Sequence, residues 1–167
     1  MGITAENVAE KFQVTRDEQD KFALLSQEKA IKAQKDNKFK QEIINFKIKS
    51  KKAEINFNKD EHPREGMNFE MLSRLKPVFK KDGTVTAGNA SGINDGAAAV
   101  ALMSKKEADK RGIKKLVSIK SWASCGVDPA LMGSGPIPSS KKALDLAGWD
   151  IKDVDIFEIN EAFAAQS

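Results

Sequence analysis

Between residues 84 and 104 the chain reads TVTAGNASGINDGAAAVALMS, with three glycines and six alanines in 21 residues. Side chains this small let a neighbouring element or a ligand come close to the backbone, so the fold must place something against this stretch. Residues 84–96 hold too much Gly and Asn for a helix interior and are predicted to form a loop. Residues 97–103 are an uninterrupted apolar run whose length predicts a buried strand, although a buried helix shares that signature. A loop of Gly, Ala, Ser and Asn can cradle a ligand through backbone N–H groups, with the Ser91 hydroxyl as an added hydrogen-bonding group. Close packing at a turn is the alternative for such a loop taken alone.

The rest of the chain narrows the classes. Its 167 residues suffice for one ordinary domain, or for a smaller module plus part of another. With 40% hydrophobic and 31% charged residues it is predicted to be globular. No apolar run approaches the roughly 18 residues that span a bilayer. The start, MGITAENVAEKF, carries Glu6, Glu10 and Lys11 with no long apolar core, which matches neither a secretory nor a transit peptide, so a cytoplasmic location is expected. Cys125 has no second cysteine to pair with, and His62 alone cannot build a metal cluster, so no metal site is expected. The formal charge is +4, with nine Lys from Lys29 to Lys52 against only Asp36 and Glu42. That segment could attract a polyanion, but the chain has no Tyr and a solvated Lys-rich face is the simpler reading. No nucleic-acid partner and no membrane partner are expected.

Hydrophobic period and capping signals divide the chain further. Thr4 is expected to cap a short helix through Phe12. Thr15 and Glu18 form a capping box for a second helix to about Lys35, with Phe22, Ala23, Ser26, Ala30 and Ala33 as a small-residue seam. Ile44, Phe46 and Ile48, then Ile55 and Phe57 beyond Ser50, Lys51 and Lys52, alternate with polar neighbours and predict a β-hairpin. Residues 60–66, DEHPREG, are a charged loop that places His62 at the surface. Asn68 caps a helix containing Met71, Leu72 and Leu75, expected to end near Lys76 because Pro77 lacks the N–H to continue it. Ser104 and Glu107 repeat the capping box, with Gly112 as the stop after Arg111. Residues 116–122 and 154–159 are predicted strands, and residues 126–140 an ordered loop. Ser139 or Ser140 is expected to cap a helix through Ala147 that Gly148 ends, and residues 160–167 to begin another helix. Strands alternating with helices predict an α/β layer.

The string TAGNASGINDGAAA closely resembles the signature of thiolases, the enzymes that make or cleave 3-ketoacyl-CoA thioesters. MGSGPIP at residues 132–138 and NEAFAAQ at 160–166 are two further thiolase-like strings in family order, and three ordered matches are far more specific than one. The resemblance runs from MGITAEN to the final residues, with SWA and GVDP between. GVDP and MGSGPIPSS look most like the biosynthetic acetyl-CoA acetyltransferase branch, whereas DIFEINEAF also occurs in degradative 3-ketoacyl-CoA thiolases. The resemblance implies a thiolase-like α/β fold fragment. Residues 1–93 would be a coenzyme A-binding loop domain of helices plus a β-hairpin. Residues 94–115 would close the N-terminal core domain, and residues 116–167 would start the C-terminal core domain.

The same resemblance implies site roles. Ser91 would contact the pantetheine arm of coenzyme A and Arg64 its adenine end, with Phe79 and Ala87 also at the coenzyme. Where the family often has a second adenine-side serine this chain has Met71, so that contact is not expected. Asn160 would hold a water that helps form an oxyanion hole, while Met132 and Phe163 line the acyl end. A carboxamide suits that task, because it fixes a water's orientation without adding charge where an enolate or thioester oxyanion develops. Asn160 read alone is a helix cap.

In the family a cysteine is acetylated by one acetyl-CoA, and the enolate of a second attacks it to give acetoacetyl-CoA. The family's nucleophilic cysteine is expected upstream of Met1, and its GHP histidine and second cysteine downstream of Ser167. The 167 residues are thus expected to be an internal portion without turnover of their own. Cys125, in SWASCG, is not at the nucleophile's place and reads as a packed, inert thiol; His62 does not stand for the base. The implied partners are acetyl-CoA and acetoacetyl-CoA and further copies of the intact chain as a homo-oligomer. The coenzyme A thioester is substrate, and no separate cofactor is implied. The alternatives are a degradative 3-ketoacyl-CoA thiolase and a non-catalytic coenzyme A-binding or interaction module.

Overall fold

A computed structural model describes residues 1–49 and 53–167. Two compact units account for them: Met1–Gly92 together with Asn160–Ser167, and Ile93–Ile159.

In the first unit, helix α1 spans Gly2–Phe12 and starts earlier than the Thr4 cap predicts, with Met1 at the N-cap. The Thr4 hydroxyl instead donates back to the Met1 carbonyl at 2.6 Å, a bond that lets a threonine sit inside the first turns. The helix ends at Phe12, where Gln13 turns left-handed (φ 56°). That tight exit brings Thr15 into place to start α2, Arg16–Lys35, as the sequence predicts. The Thr15 hydroxyl accepts the Glu18 N–H at 3.3 Å, and the Glu18 carboxylate accepts the Thr15 N–H at 2.8 Å. Hydrogen bonds from the Thr15 backbone, then from its hydroxyl, hold the Glu18 carboxyl below the usual carboxylate range. A lowered folded value means that the Glu18 contribution is present above the unfolded pKa and fades as pH falls through the lowered one. Thr15→Ala should cost about 1 kcal/mol in urea unfolding at neutral pH; an unchanged midpoint would show that the box adds nothing.

The core of this unit is small-residue packing. Ala5 and Ala9 of α1 meet Val85 and Ala165, with Val14, Ala90 and Phe163 partly covering them. The seam expected on α2 is only partly buried. Ala23 is covered, but its fully buried companions are the polar Gln19 and Asp20.

Strands β1, Phe46–Lys49, and β2, Glu54–Phe57, pair antiparallel with Phe46 opposite Phe57 and Ile48 opposite Ile55, so the alternating apolar residues share one face. The connecting residues Ser50, Lys51 and Lys52 lie outside the described residues, and Ile44 precedes the ladder. Helix α3, Phe69–Ser73, is capped by Asn68, whose side-chain oxygen accepts the Met71 N–H at 2.9 Å. It ends three residues before Lys76. The Arg16 guanidinium donates to the carbonyls of Leu72 (2.8 Å) and Leu75 (2.9 Å), satisfying helix-end acceptors that a further turn would have used.

In the second unit, α4 spans Lys105–Lys110, with the Ser104 hydroxyl accepting the Glu107 N–H at 3.2 Å and Gly112 left-handed (φ 64°) behind it. Helix α5, Pro136–Ala147, begins before Ser139, so neither serine caps it. Pro136 lies in the first turn, where its missing N–H has no partner to lose. A 3-10 segment, Pro129–Ser134, precedes it, capped by the Asp128 carboxylate. Much of the predicted loop 126–140 is therefore helical turn. A second 3-10 turn, Ile151–Asp153, was not anticipated.

The strands predicted over residues 97–103, 116–122 and 154–159 form no ladder among the described residues, whose one sheet is the β1–β2 hairpin. A strand exists only through its neighbours' hydrogen bonds. Among the described residues the apolar side chains of those segments are largely uncovered: Val100 is 83% exposed and Leu116 92%. Residues 160–167 likewise form no regular helix. They make a bridge at Phe163 followed by one turn, in which the Ser167 N–H reaches the Phe163 carbonyl at 3.2 Å.

Candidate functional site

The small-residue loop is built from below by α1 and α2. Glu6, on the inner face of α1, is 4% exposed and accepts from the Thr84 N–H (2.9 Å), the Thr84 hydroxyl (3.0 Å) and the Val85 N–H (2.9 Å). Gln19 of α2 donates to the Thr84 hydroxyl oxygen at 2.9 Å. Asp20, fully buried, accepts from Arg16 at 2.7 Å and from the Asn89 carboxamide at 2.9 Å. These polar groups sit where an apolar helix face would ordinarily be, and each has a backbone or side-chain partner in the loop, although among the described residues the Gln19 Oε1 is buried without one.

The loop turns on its own hydrogen bonds. The Thr86 hydroxyl accepts the Gly88 N–H at 3.1 Å, and the Asn89 side-chain oxygen accepts the Thr86 N–H at 2.7 Å. A Cβ at Gly88 would lie 2.6 Å from both Leu72 Cδ2 and Leu75 Cδ1, so the missing side chain lets those two leucines pack against the loop, and a larger residue would push their ends aside. Ala87 stands exposed at the crest of the turn.

Beyond the turn the backbone pairs with residues 162–164. The Ser91 N–H donates to the Ala162 carbonyl (3.0 Å), the Ala164 N–H donates to the Asn89 carbonyl (2.9 Å), and Ala90 bridges Phe163 antiparallel. Ser26 of α2 also holds this segment, its hydroxyl donating to the Glu161 carboxylate. Ser91 and Asn160 thus lie at one end of the same short ladder, both exposed. Among the described residues neither the Ser91 hydroxyl nor the Asn160 carboxamide bonds to protein, so both are available to a ligand or a water.

Phe163 leads from this ladder to Phe79. Their rings meet edge to face at 6.3 Å. The Phe79 ring also lies over Gly2, where a Cβ would fall 2.2 Å from its Cγ. The glycine after Met1 therefore sets how far the ring settles toward α1.

Arg64 stands apart from this group. It is exposed, and its backbone N–H donates to the Gln27 side chain at 3.0 Å, fixing the loop against α2. The adjacent Glu65 is taken by Lys35 at 2.6 Å, and that ammonium holds the Glu65 carboxyl below its usual range. The carboxylate next in sequence thus has its own cation. Met132 belongs to the second unit, on the 3-10 segment Pro129–Ser134, and is 45% exposed. His62 is exposed, as expected, and Cys125 is a half-buried free thiol. No group of His, Cys, Asp and Glu among the described residues could hold a metal ion, and no helix among them is long and apolar enough to cross a membrane.

The sequence reading missed Glu6, Gln19, Asp20 and Asn89 as organisers of the loop. A signal existed for Glu6, which shares a helical face with Ala5 and Ala9. A charged residue on an apolar face is rarely buried without a partner.

Residues 1–106 match the thiolase N-terminal domain family and residues 113–167 the thiolase C-terminal domain family. Over all of its length the chain is 57% identical to an acetyl-CoA acetyltransferase of Rhizobium meliloti (strain 1021) and 58% identical to one of Shinella zoogloeoides. It covers 42% and 43% of those two proteins. Among solved structures, the Bacillus anthracis acetyl-CoA acetyltransferase superposes with a TM-score of 0.92 at 49% identity, and the human mitochondrial 3-ketoacyl-CoA thiolase with 0.91 at 45%. Each comparison covers 99% of this chain and 42% of the other. The chain spans about two fifths of the length of the relatives it matches, and it belongs to the thiolase family.

Proposed function

We propose that this chain contributes the coenzyme A-binding and oxyanion-side portion of a cytosolic acetyl-CoA C-acetyltransferase, which condenses two acetyl-CoA to acetoacetyl-CoA and catalyses the reverse thiolysis. The observation that supports this reading most is the ladder from 89–91 to 162–164, with the Ser91 hydroxyl and the Asn160 carboxamide both unpartnered at one end. In this proposal residues 1–93 form the coenzyme-binding portion, 94–115 close the N-terminal core domain, and 116–167 open the C-terminal one. The intact protein works as a homo-oligomer.

Each residue then has a task. The Ser91 hydroxyl and the crest at Ala87 receive the pantetheine arm, and Phe79 gives it an apolar wall. The Arg64 guanidinium meets the nucleotide end as a fixed positive charge. Asn160 orients a water toward the thioester oxygen, and Phe163 and Met132 bound the acyl group. The full-length protein should thiolyse acetoacetyl-CoA in the presence of coenzyme A, whereas the 167 residues alone should not. Absence of thiolysis by the full-length protein refutes the assignment.

Likeness to a 3-ketoacyl-CoA thiolase supports a second reading, a degradative enzyme acting on longer chains. Relative kcat/KM for acetoacetyl-CoA and a long-chain 3-ketoacyl-CoA separates the two. For the coenzyme end, Arg64→Ala should raise KM for coenzyme A roughly tenfold, the loss of one charge-assisted contact of about 1.5 kcal/mol. Reaction with pantetheine, which lacks the nucleotide, should be unaffected. Equal weakening of both removes Arg64 from the nucleotide site.

A further inference from the structure

We propose that Asn89, held by Asp20, is a positioning residue that fixes the Ser91 hydroxyl and the Asn160 carboxamide in one register, so that coenzyme binding and oxyanion stabilisation are set by a single buried contact. The proposal rests on the acetyltransferase reading for what Ser91 and Asn160 do, but not for how Asn89 holds them.

Asn89 is 3% exposed and uses its whole carboxamide. Its oxygen accepts the Thr86 N–H at 2.7 Å, and its NH₂ donates to Asp20 Oδ1 at 2.9 Å and to the Thr84 carbonyl at 3.0 Å. Its backbone carbonyl meanwhile accepts the Ala164 N–H at 2.9 Å, the ladder bond next to the one from Ser91 to Ala162. One residue therefore faces α2 with its side chain and the 160–167 segment with its main chain. Asp20 is itself fixed, because Arg16 pairs with its other oxygen and anchors in turn on the carbonyls of Leu72 and Leu75. A shift of Asn89 along the ladder would carry Ser91 and Phe163 with it, and the Asn160 amide with them.

The direction of the Asp20 to Asn89 bond makes this testable. Asn89→Asp sets two carboxylates face to face where a 2.9 Å donor bond stood and turns a carboxylate toward the Thr84 carbonyl. Combining it with Asp20→Asn restores a donor to the pair and leaves an acceptor for Arg16, so that only the Thr84 carbonyl lacks its donor.

In the full-length protein, rates are to be normalised to the acetyl-enzyme burst on mixing with acetyl-CoA, which counts active sites. Asn89→Asp should then lower kcat/KM for acetoacetyl-CoA thiolysis roughly 10- to 100-fold, through kcat and the KM for coenzyme A together, the scale of a misplacement near 1 Å. The double variant should recover at least half of that loss on a logarithmic scale. Amide exchange at Ser91 and Ala164 should quicken in Asn89→Asp and slow again in the double variant, with α5 unchanged. Wild-type kcat and KM per active site, with only fewer active sites, would mean that Asn89 merely stabilises the fold and would overturn the proposal. If Ser91→Ala and Asn160→Ala leave the kinetics unchanged, the roles given to those two residues fail while the acetyltransferase activity itself stands. The exchange data then decide alone: unaltered exchange at Ser91 and Ala164 overturns the positioning role, and quickened exchange upholds it.

Discussion

Asn160→Ala in the full-length protein is expected to lower kcat roughly ten- to a thousandfold, the scale of losing one oxyanion-hole donor, with KM little changed. Asn160 is exposed at the end of the ladder, and its backbone carbonyl already accepts the Ala162 N–H at 2.9 Å, so its main chain is committed while its carboxamide is free. A free amide on a fixed backbone is suited to holding a water in one orientation. The gain is largest where charge develops, which is why kcat and not KM should respond. Asn160→Asp should not rescue, since a carboxylate near the developing oxyanion opposes it. If both variants keep wild-type kcat while unfolding more readily, Asn160 is a structural residue and the carried-over role fails. Among the described residues, 160–167 form a bridge and a single turn, so no helix within them takes Asn160 as its cap.

What the sequence discloses depends on how far away each feature's partners lie. The Thr15 to Glu18 box and the Asn68 cap are closed by atoms three residues apart, and both form as read. Alternation gave the hairpin and its shared apolar face, because cross-strand pairing needs only the two strands. The strands read over 97–103, 116–122 and 154–159 need neighbours from elsewhere, and among the described residues they find none. The chain covers 42% of the relatives it matches, and a pattern written for a larger layered core has fewer surfaces to meet here. Prolines misled in the opposite direction: Pro129 and Pro136 begin helical turns rather than break them.

The site shows the same division. The strings TAGNASG and NEAF marked Ser91 and Asn160 because each is a contiguous word that resembles the family's. Their common ladder joins residues some 70 positions apart and has no local signature. Arg16, Asp20 and Asn89 were invisible for a related reason, since an Arg and an Asp four apart on a helix read as a surface ion pair. Only the structure shows Asp20 fully buried with a second partner across the unit. Such polar groups are costly unless every donor and acceptor is met.

Glu6→Ala is therefore expected to destabilise the loop by about 3 kcal/mol, more than any surface substitution should. The Glu6 carboxylate is the acceptor for the Thr84 and Val85 N–H groups and for the Thr84 hydroxyl, and Val85 is wholly buried in the small-residue core. Alanine leaves those donors without their acceptor, the Val85 N–H fully buried and the Thr84 groups partly so, and a buried donor without a partner costs about 1–3 kcal/mol. Glu6→Gln is no remedy, because its NH₂ would face N–H groups that need an acceptor. The loop should open before the helices do: amide exchange of residues 84–86 should accelerate roughly a hundredfold, while the interior of α2 keeps its protection. KM for coenzyme A should rise with the opening, because the same loop presents Ala87 and Ser91. Wild-type exchange at residues 84–86 in Glu6→Ala would mean that the carboxylate is not what holds the loop to α1, and the small-residue packing of Ala5, Ala9 and Val85 would be sufficient by itself.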